Sequence, residues 1–195
     1  MKQFKYLGAT ITEDDGSKSE VEIRTGIAKS KFSELSKLLS TRQISLSLRH
    51  RLLQCYVFSV FMYGAEAWTF GQEICRKVNS FEMWCFRRMG KVSWKERKTN
   101  EEVCKLLKTT PTLLSKMKTK KLQYFGHIKR HKTLLKHVLE SKLEGTRSVG
   151  RQRLLWTDDI KEWTGMSMTD CTRAAKNRNE WKIIARRPQG PLRRR

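Results

Sequence analysis

Residues 46–63 read LSLRHRLLQCYVFSVFMY, and this stretch decides the fold class. Leu46, Leu48, Leu52, Leu53, Tyr56, Val57, Val60, Phe61 and Tyr63 make a helix apolar on most sides. Ser45, just ahead, is a suitable N-cap. The pattern predicts a helix from 46 to about 69 at the buried centre of a bundle.

The neighbours on both sides supply its packing partners. Upstream, Val21, Ile23, Ile27, Ala28, Phe32, Leu35, Leu38 and Leu39 recur at three and four, predicting a helix over about 19–40 that Gln43-Ile44-Ser45 breaks. Downstream, Ile74, Val78, Phe81, Met83, Trp84 and Phe86 stand among basic residues on a third helix, about 72–90. These three define a bundle over residues 17–92. Ahead of it, KQFKYLGATITE at 2–13 reads as two short strands around Gly8, followed by a Glu13-Asp14-Asp15-Gly16 turn. A hairpin that short does not stand alone and has the look of the tail of a larger sheet.

Beyond the bundle, the polar, basic run Ser93 to Thr99 is the first boundary. Thr99 or Asn100 with Glu102 starts a short helix through Leu107. Pro111 opens another helix over about 111–131, and 134–141 adds a turn or two. Gly145 to Gly150 is a flexible basic loop, Trp156 to Trp163 a short amphipathic helix, and 168–185 the last helix. The expected fold is therefore mostly α: a short N-terminal β-hairpin (1–16), a three-helix bundle (17–92), a basic helical C-terminal region (93–187) and a disordered tail (188–195).

Charge narrows the function. The 195 residues carry 42 Lys and Arg against 19 Asp and Glu, a formal +23. That excess repels itself unless a polyanion neutralises it, which argues against a metabolic enzyme and for nucleic acid as partner. Residues 1–70 hold 10 basic and 7 acidic side chains, whereas 71–135 hold 17 and 5, a net of +12. The apolar run Cys55 to Phe70 is interrupted by Ser59, Gly64 and Glu66, too short and polar to span a bilayer, so no membrane role is expected. Five cysteines, an odd number with no Cys-x-x-Cys pair, and an opening Met1-Lys2-Gln3-Phe4-Lys5 without a signal peptide imply reduced thiols in the nucleus or cytoplasm.

Cations interleave with aromatic residues. Lys116, Lys118, Lys120, Lys121, Lys129 and Arg130 share one expected helix with Tyr124 and Phe125, and Arg87, Arg88, Lys91, Lys95, Arg97 and Lys98 surround Trp84 and Trp94. Phosphates need point charges and forks, and unstacked bases need flat π faces. Arg147, Arg151 and Arg153 lie in the glycine-containing loop, where the backbone could approach a polyanion closely. Asp158-Asp159 could be read as a magnesium pair, but adjacent helical residues point about 100° apart, and compensation of a helix N-terminus accounts for them. His127 and His131 have zinc-compatible spacing without a paired cysteine motif to complete a site. There is no glycine-rich phosphate loop, no Gly-x-Ser-x-Gly and no Cys/His dyad by spacing. No catalytic residue, metal site or cofactor is expected.

A series of blocks occurs in order: Phe4-Lys5-Tyr6-Leu7-Gly8, YVFSVFMYGAEAW at 56–68, FEMWCFRRM at 81–89, TNEEV at 99–103, LQYFGHIKR at 122–130, LEGTRSVGRQRLLWTDDIKEWTG at 143–165 and RNEW at 178–181. The chain resembles the C-terminal part of the reverse transcriptase of a non-LTR (LINE-type) retrotransposon, over essentially its whole length to about residue 185. The resemblance implies that Tyr6, Leu7 and Gly8 belong to a primer grip closing a palm, that the next three helices form the thumb, and that the remainder is the basic C-terminal extension binding element RNA or target DNA. RNA and DNA would then be the partners, together with the palm and fingers of the same polymerase. The family's catalytic Asp and its Phe/Tyr-Ala-Asp-Asp block are not in this sequence, so the Mg²⁺ chemistry would belong to that palm and no polymerase activity is expected of this chain alone. The alternative is a stand-alone or co-opted nucleic-acid-binding or interaction protein with no catalytic role.

Overall fold

A computed structural model describes residues 3–6, 8–12, 17–141, 154–186 and 188. The described chain is mostly helical. Gln3–Tyr6 (β1) and Ala9–Thr12 (β2) pair antiparallel with Phe4 opposite Ile11. The helices are α1 (Lys18–Glu34), α2 (Ser36–Ser40), α3 (Leu46–Leu52), α4 (Ser59–Phe61), α5 (Gln72–Met89), α6 (Asn100–Leu106), α7 (Leu113–Arg130), α8 (Leu134–Glu140), α9 (Trp156–Thr164), α10 (Met168–Lys176) and α11 (Arg178–Arg186).

The chain forms two compact units, each built from two stretches of sequence. One comprises residues 1–65 and 72–114, the other 66–71 and 115–195. The division thus falls beyond the composition change near residue 93. Val103 and Leu107 of the α6 region are buried, which keeps this short helix with the first unit.

The central run 46–63 is helical but not uniform. Between α3 and α4 the backbone widens into a π-helical turn over Leu53–Phe58. The extra residue per turn rotates the apolar stripe, so Leu53, Val57, Phe58 and Phe61 are buried while Leu48, Tyr56 and Tyr63 remain exposed. The helix expected to reach 69 stops at Phe61, because Gly64 takes a left-handed φ of +71° that a helix cannot continue through. The helix expected over 19–40 is likewise two, α1 and α2, with the break at Leu35. Ile27 and Leu38, counted on its apolar stripe, are exposed.

Aromatic rings fill the first core. Phe61 stacks on Phe81 with centroids 4.5 Å apart, and Phe32 meets Trp84 edge-on at 5.2 Å. Polar groups close its helix ends. Arg49 donates from Nη1 to the carbonyls of Leu39 and Met89, at the last turns of α2 and α5. Glu82, fully buried, accepts from the backbone N–H groups of Thr112 and Leu113.

In the second unit, the helix expected over 168–185 is two helices broken at Asn177. The Asn177 side-chain oxygen accepts from the N–H of Asn179 and Glu180, so an asparagine that prefers capping over helix interiors starts α11 afresh. Trp181 is then buried and donates from Nε1 to the Leu122 carbonyl at 2.7 Å.

Candidate nucleic-acid interface

The α7 lysines do not form one cationic face. Lys121 is fully buried: its ammonium donates to the Trp68 carbonyl at 2.7 Å and forms an ion pair with Asp159. Asp159 also accepts from the Phe70 N–H at 2.8 Å. Three rings surround the ammonium, Trp156 at 4.8 Å, Phe70 at 5.5 Å and Trp163 at 5.6 Å from their centroids. Loss of water pushes Lys121 down to about 8 and Asp159 up from the ordinary aspartate range. An ammonium held by a carboxylate, a carbonyl and ring faces satisfies a buried cation.

Two more lysines named in the sequence expectation are buried. Lys118 is buried with its ammonium 5.2 Å from the Trp163 ring. Lys129 is buried, paired with Glu140 at 2.9 Å. With Lys121, these side chains are engaged within the fold. The physical reason is helical geometry: Lys121 lies four residues from both Met117 and Phe125, which are buried, so it falls inside the apolar stripe. The two aspartates also part company. Asp158 accepts from the Leu155 N–H at 2.9 Å and caps α9, as the dipole argument expects. Asp159 shares a face with Trp156, Ile160 and Trp163 at helical spacing and turns inward, a signal the adjacent-acid reading overlooked.

The remaining α7 positions are partly committed. Lys116 is half-buried; Lys120 lies 3.4 Å from Glu66; Tyr124 meets Trp156 edge-on. Arg130 donates to the Ala175 carbonyl at 2.9 Å. His127 and His131 are exposed, their rings 4.3 Å apart, and among the described residues no three His, Cys, Asp or Glu side chains gather as a metal site would require. Gly8, with φ +78°, gives its carbonyl to Arg24 Nη2, and Tyr6 ends β1. Leu7, Arg147, Arg151 and Arg153 lie outside the described residues.

A second set of cations gathers at the C-terminal end of α5. A groove of about 800 Å³ is lined by Arg87, Arg88, Lys91, Arg97 and Lys98, together with Trp84 and Trp94. Arg88 is exposed and its guanidinium lies 4.6 Å from the Trp84 ring centroid. Arg87 Nη2 donates to the Lys98 carbonyl at 2.8 Å and to Asn100 Oδ1 at 2.9 Å, which fixes the far wall. A one-turn helix, Trp94–Glu96, forms the lip. It is held by a reciprocal cap in which Ser93 N–H donates to Glu96 Oε1 at 2.7 Å and Lys95 N–H to Ser93 Oγ. Glu96 also pairs with Lys98 at 2.6 Å. Sequence reading gathered these cations around the two tryptophans but did not separate them from the buried α7 lysines.

No family model and no solved structure matches the chain. Its sequence is similar to a Caenorhabditis elegans protein named as an uncharacterized transposon-derived protein, 27% identical over 197 residues that cover 95% of this chain and 70% of that one. The similarity supports an origin in a transposable element. No helix among the described residues is long and apolar enough to cross a membrane.

Proposed function

We propose that this chain is a nucleic-acid-binding segment derived from the C-terminal part of a non-LTR retrotransposon reverse transcriptase, with no chemistry of its own. The observation that carries the reading is the groove at the end of α5, whose five lining cations face one space in a chain of net charge +23. Phosphates bring to such a site what it lacks, and counterion release supplies affinity without reading sequence. The ordered motif series supports that origin, and the transposon-derived relative supports the coarser part of it, a transposable element. In this reading β1 and β2, with Tyr6, Leu7 and Gly8, correspond to a primer grip, and the first unit's helices to a thumb that lies along a template–primer duplex. Arg147, Arg151 and Arg153 add phosphate contacts, and RNA and DNA are both ligands.

The test is a titration of duplex and single-stranded oligonucleotides at several salt concentrations. With about six phosphates neutralised, log affinity falls against log salt with a slope of about −4 for single strands and about −5.4 for duplex. Replacing Arg88, Lys91 and Arg97 by Ala lowers the magnitude of that slope by about two to three and weakens all sequences alike. Binding indifferent to salt, or unchanged by the triple substitution, refutes the reading.

A further inference from the structure

Trp94 is the most exposed large apolar side chain described, at 83%, yet it is displayed on a backbone that holds it still. Its turn is closed by the Ser93–Glu96 reciprocal cap, and two residues, one just past the end of α5 and one at the end of the turn, have an uncommon backbone. Lys91 and Arg97 adopt left-handed φ values of +53° and +47°. Side chains with a Cβ occupy that region at a cost, and the surrounding structure must enforce it. Two of the three such non-glycine residues among those described, all three of them cations, therefore lie in one groove. An exposed indole on a rigid turn and two cations in enforced conformations contribute nothing to core packing.

We infer that this groove is a binding site for an unpaired stretch of polynucleotide, with one base stacked on the Trp94 indole and its flanking phosphates held by Arg88, Lys91 and Arg97. The inference rests on the nucleic-acid reading above and deepens it by naming the ligand class. In a duplex the bases are stacked on one another and their faces are closed to a side chain, so an indole is useless to it. In a single strand every base offers a π face, and sequence matters little. Phosphates carried by the same strand supply the charge complementary to the cations. Trp84 does not compete for the base, because its ring is already covered by Arg88 and faces Lys29 at 5.3 Å.

The experiment compares a single-stranded oligo(dT) or oligo(U) with a blunt duplex of equal length, using the whole chain and Trp94→Ala, Trp94→Phe and Lys91→Gly variants. Trp94→Ala is expected to weaken single-strand binding by about 5- to 150-fold, the range that loss of one stacked base produces, and to leave duplex binding within twofold. Trp94→Phe keeps a ring and is expected to restore most of the lost affinity. Lys91→Gly relieves the left-handed strain, so it is expected to raise thermal stability while weakening both ligands. Oligonucleotide binding should also quench tryptophan emission less in Trp94→Ala than in the parent chain. Equal losses for single strand and duplex in Trp94→Ala, or no loss in either while salt-dependent binding persists, overturns the stacking site and leaves the nucleic-acid reading standing. Failure of the parent chain to bind either oligonucleotide overturns both.

Discussion

Lys121 and Asp159 show how a single residue's role follows from its position on a helix and not from its charge. Both are fully buried, and each makes the other tolerable there. Asp159→Asn leaves an ammonium without its counter-charge and is expected to cost about 3–5 kcal/mol of stability. The double change Lys121→Met with Asp159→Leu is expected to cost much less than the sum of the single changes, because the vacated space refills with apolar surface. Denaturant unfolding of the four proteins gives the coupling, and additive losses would mean that the two groups do not act as a pair. His50 supplies a pH dependence. Its ring donates to the Leu107 carbonyl, and burial holds its pKa below the ordinary histidine range. The folded state therefore keeps His50 neutral while the unfolded chain takes up a proton near pH 6.5. Below that pH the unfolded state binds more protons, so stability is fully present above about 6.5 and falls as the pH drops toward the lower folded value. Unfolding midpoints measured between pH 7.5 and 5.5 should decline, and decline less in His50→Gln.

At the scale of elements, most helices were legible because their apolar residues recur at helical spacing. The third bundle helix, expected over 72–90, lies at Gln72–Met89, and the short one that Thr99 begins lies at Asn100–Leu106 with Thr99 and Glu102 reciprocally bonded. What the pattern did not show was where helices stop. Leu35 and Asn177 interrupt runs whose periodicity continues across the break, and the widened turn at Leu53–Phe58 shifts the stripe without any proline or glycine to announce it. The site divided in the same way. Its cations were visible as composition, but which of them are buried depends on the neighbouring elements, as with Asp159 facing Lys121 across 38 residues. One close approach gives a sharp element-scale prediction. A Cβ at Gly126 would fall on the indole of Trp181 and within 3.0 Å of Arg130 Nη1. Gly126→Ala must push α11 outward and break the Trp181 bond to the Leu122 carbonyl, although alanine favours a helix by about 1 kcal/mol over glycine. The net expectation is a loss of about 1–3 kcal/mol by overpacking. Near-ultraviolet circular dichroism of the tryptophans and denaturant unfolding measure it, and a variant more stable than the parent would contradict the packing.

For the whole molecule the dominant fact is a net charge of +23 spread over 195 residues. Ion pairs such as Lys77 with Glu22 and Glu73 offset little of it, because they sit at the surface. The folded chain concentrates like charges that the unfolded chain can spread out, so repulsion lowers stability and screening restores it. Raising NaCl from about 50 to 500 mM shortens the Debye length from roughly 14 to 4 Å, and the thermal midpoint is expected to rise over that range. A short oligonucleotide is expected to do the same at low salt by a different route. It neutralises charge only where it binds, and a ligand at 100 times its dissociation constant adds about 2.7 kcal/mol to the folded state. The two effects oppose one another, since salt weakens phosphate binding while it relieves repulsion. Midpoints measured with oligonucleotide should therefore start high, fall as salt releases the ligand and converge on the ligand-free curve. Parallel curves at all salt concentrations would show that the stabilisation does not come from electrostatic binding to the cationic groove.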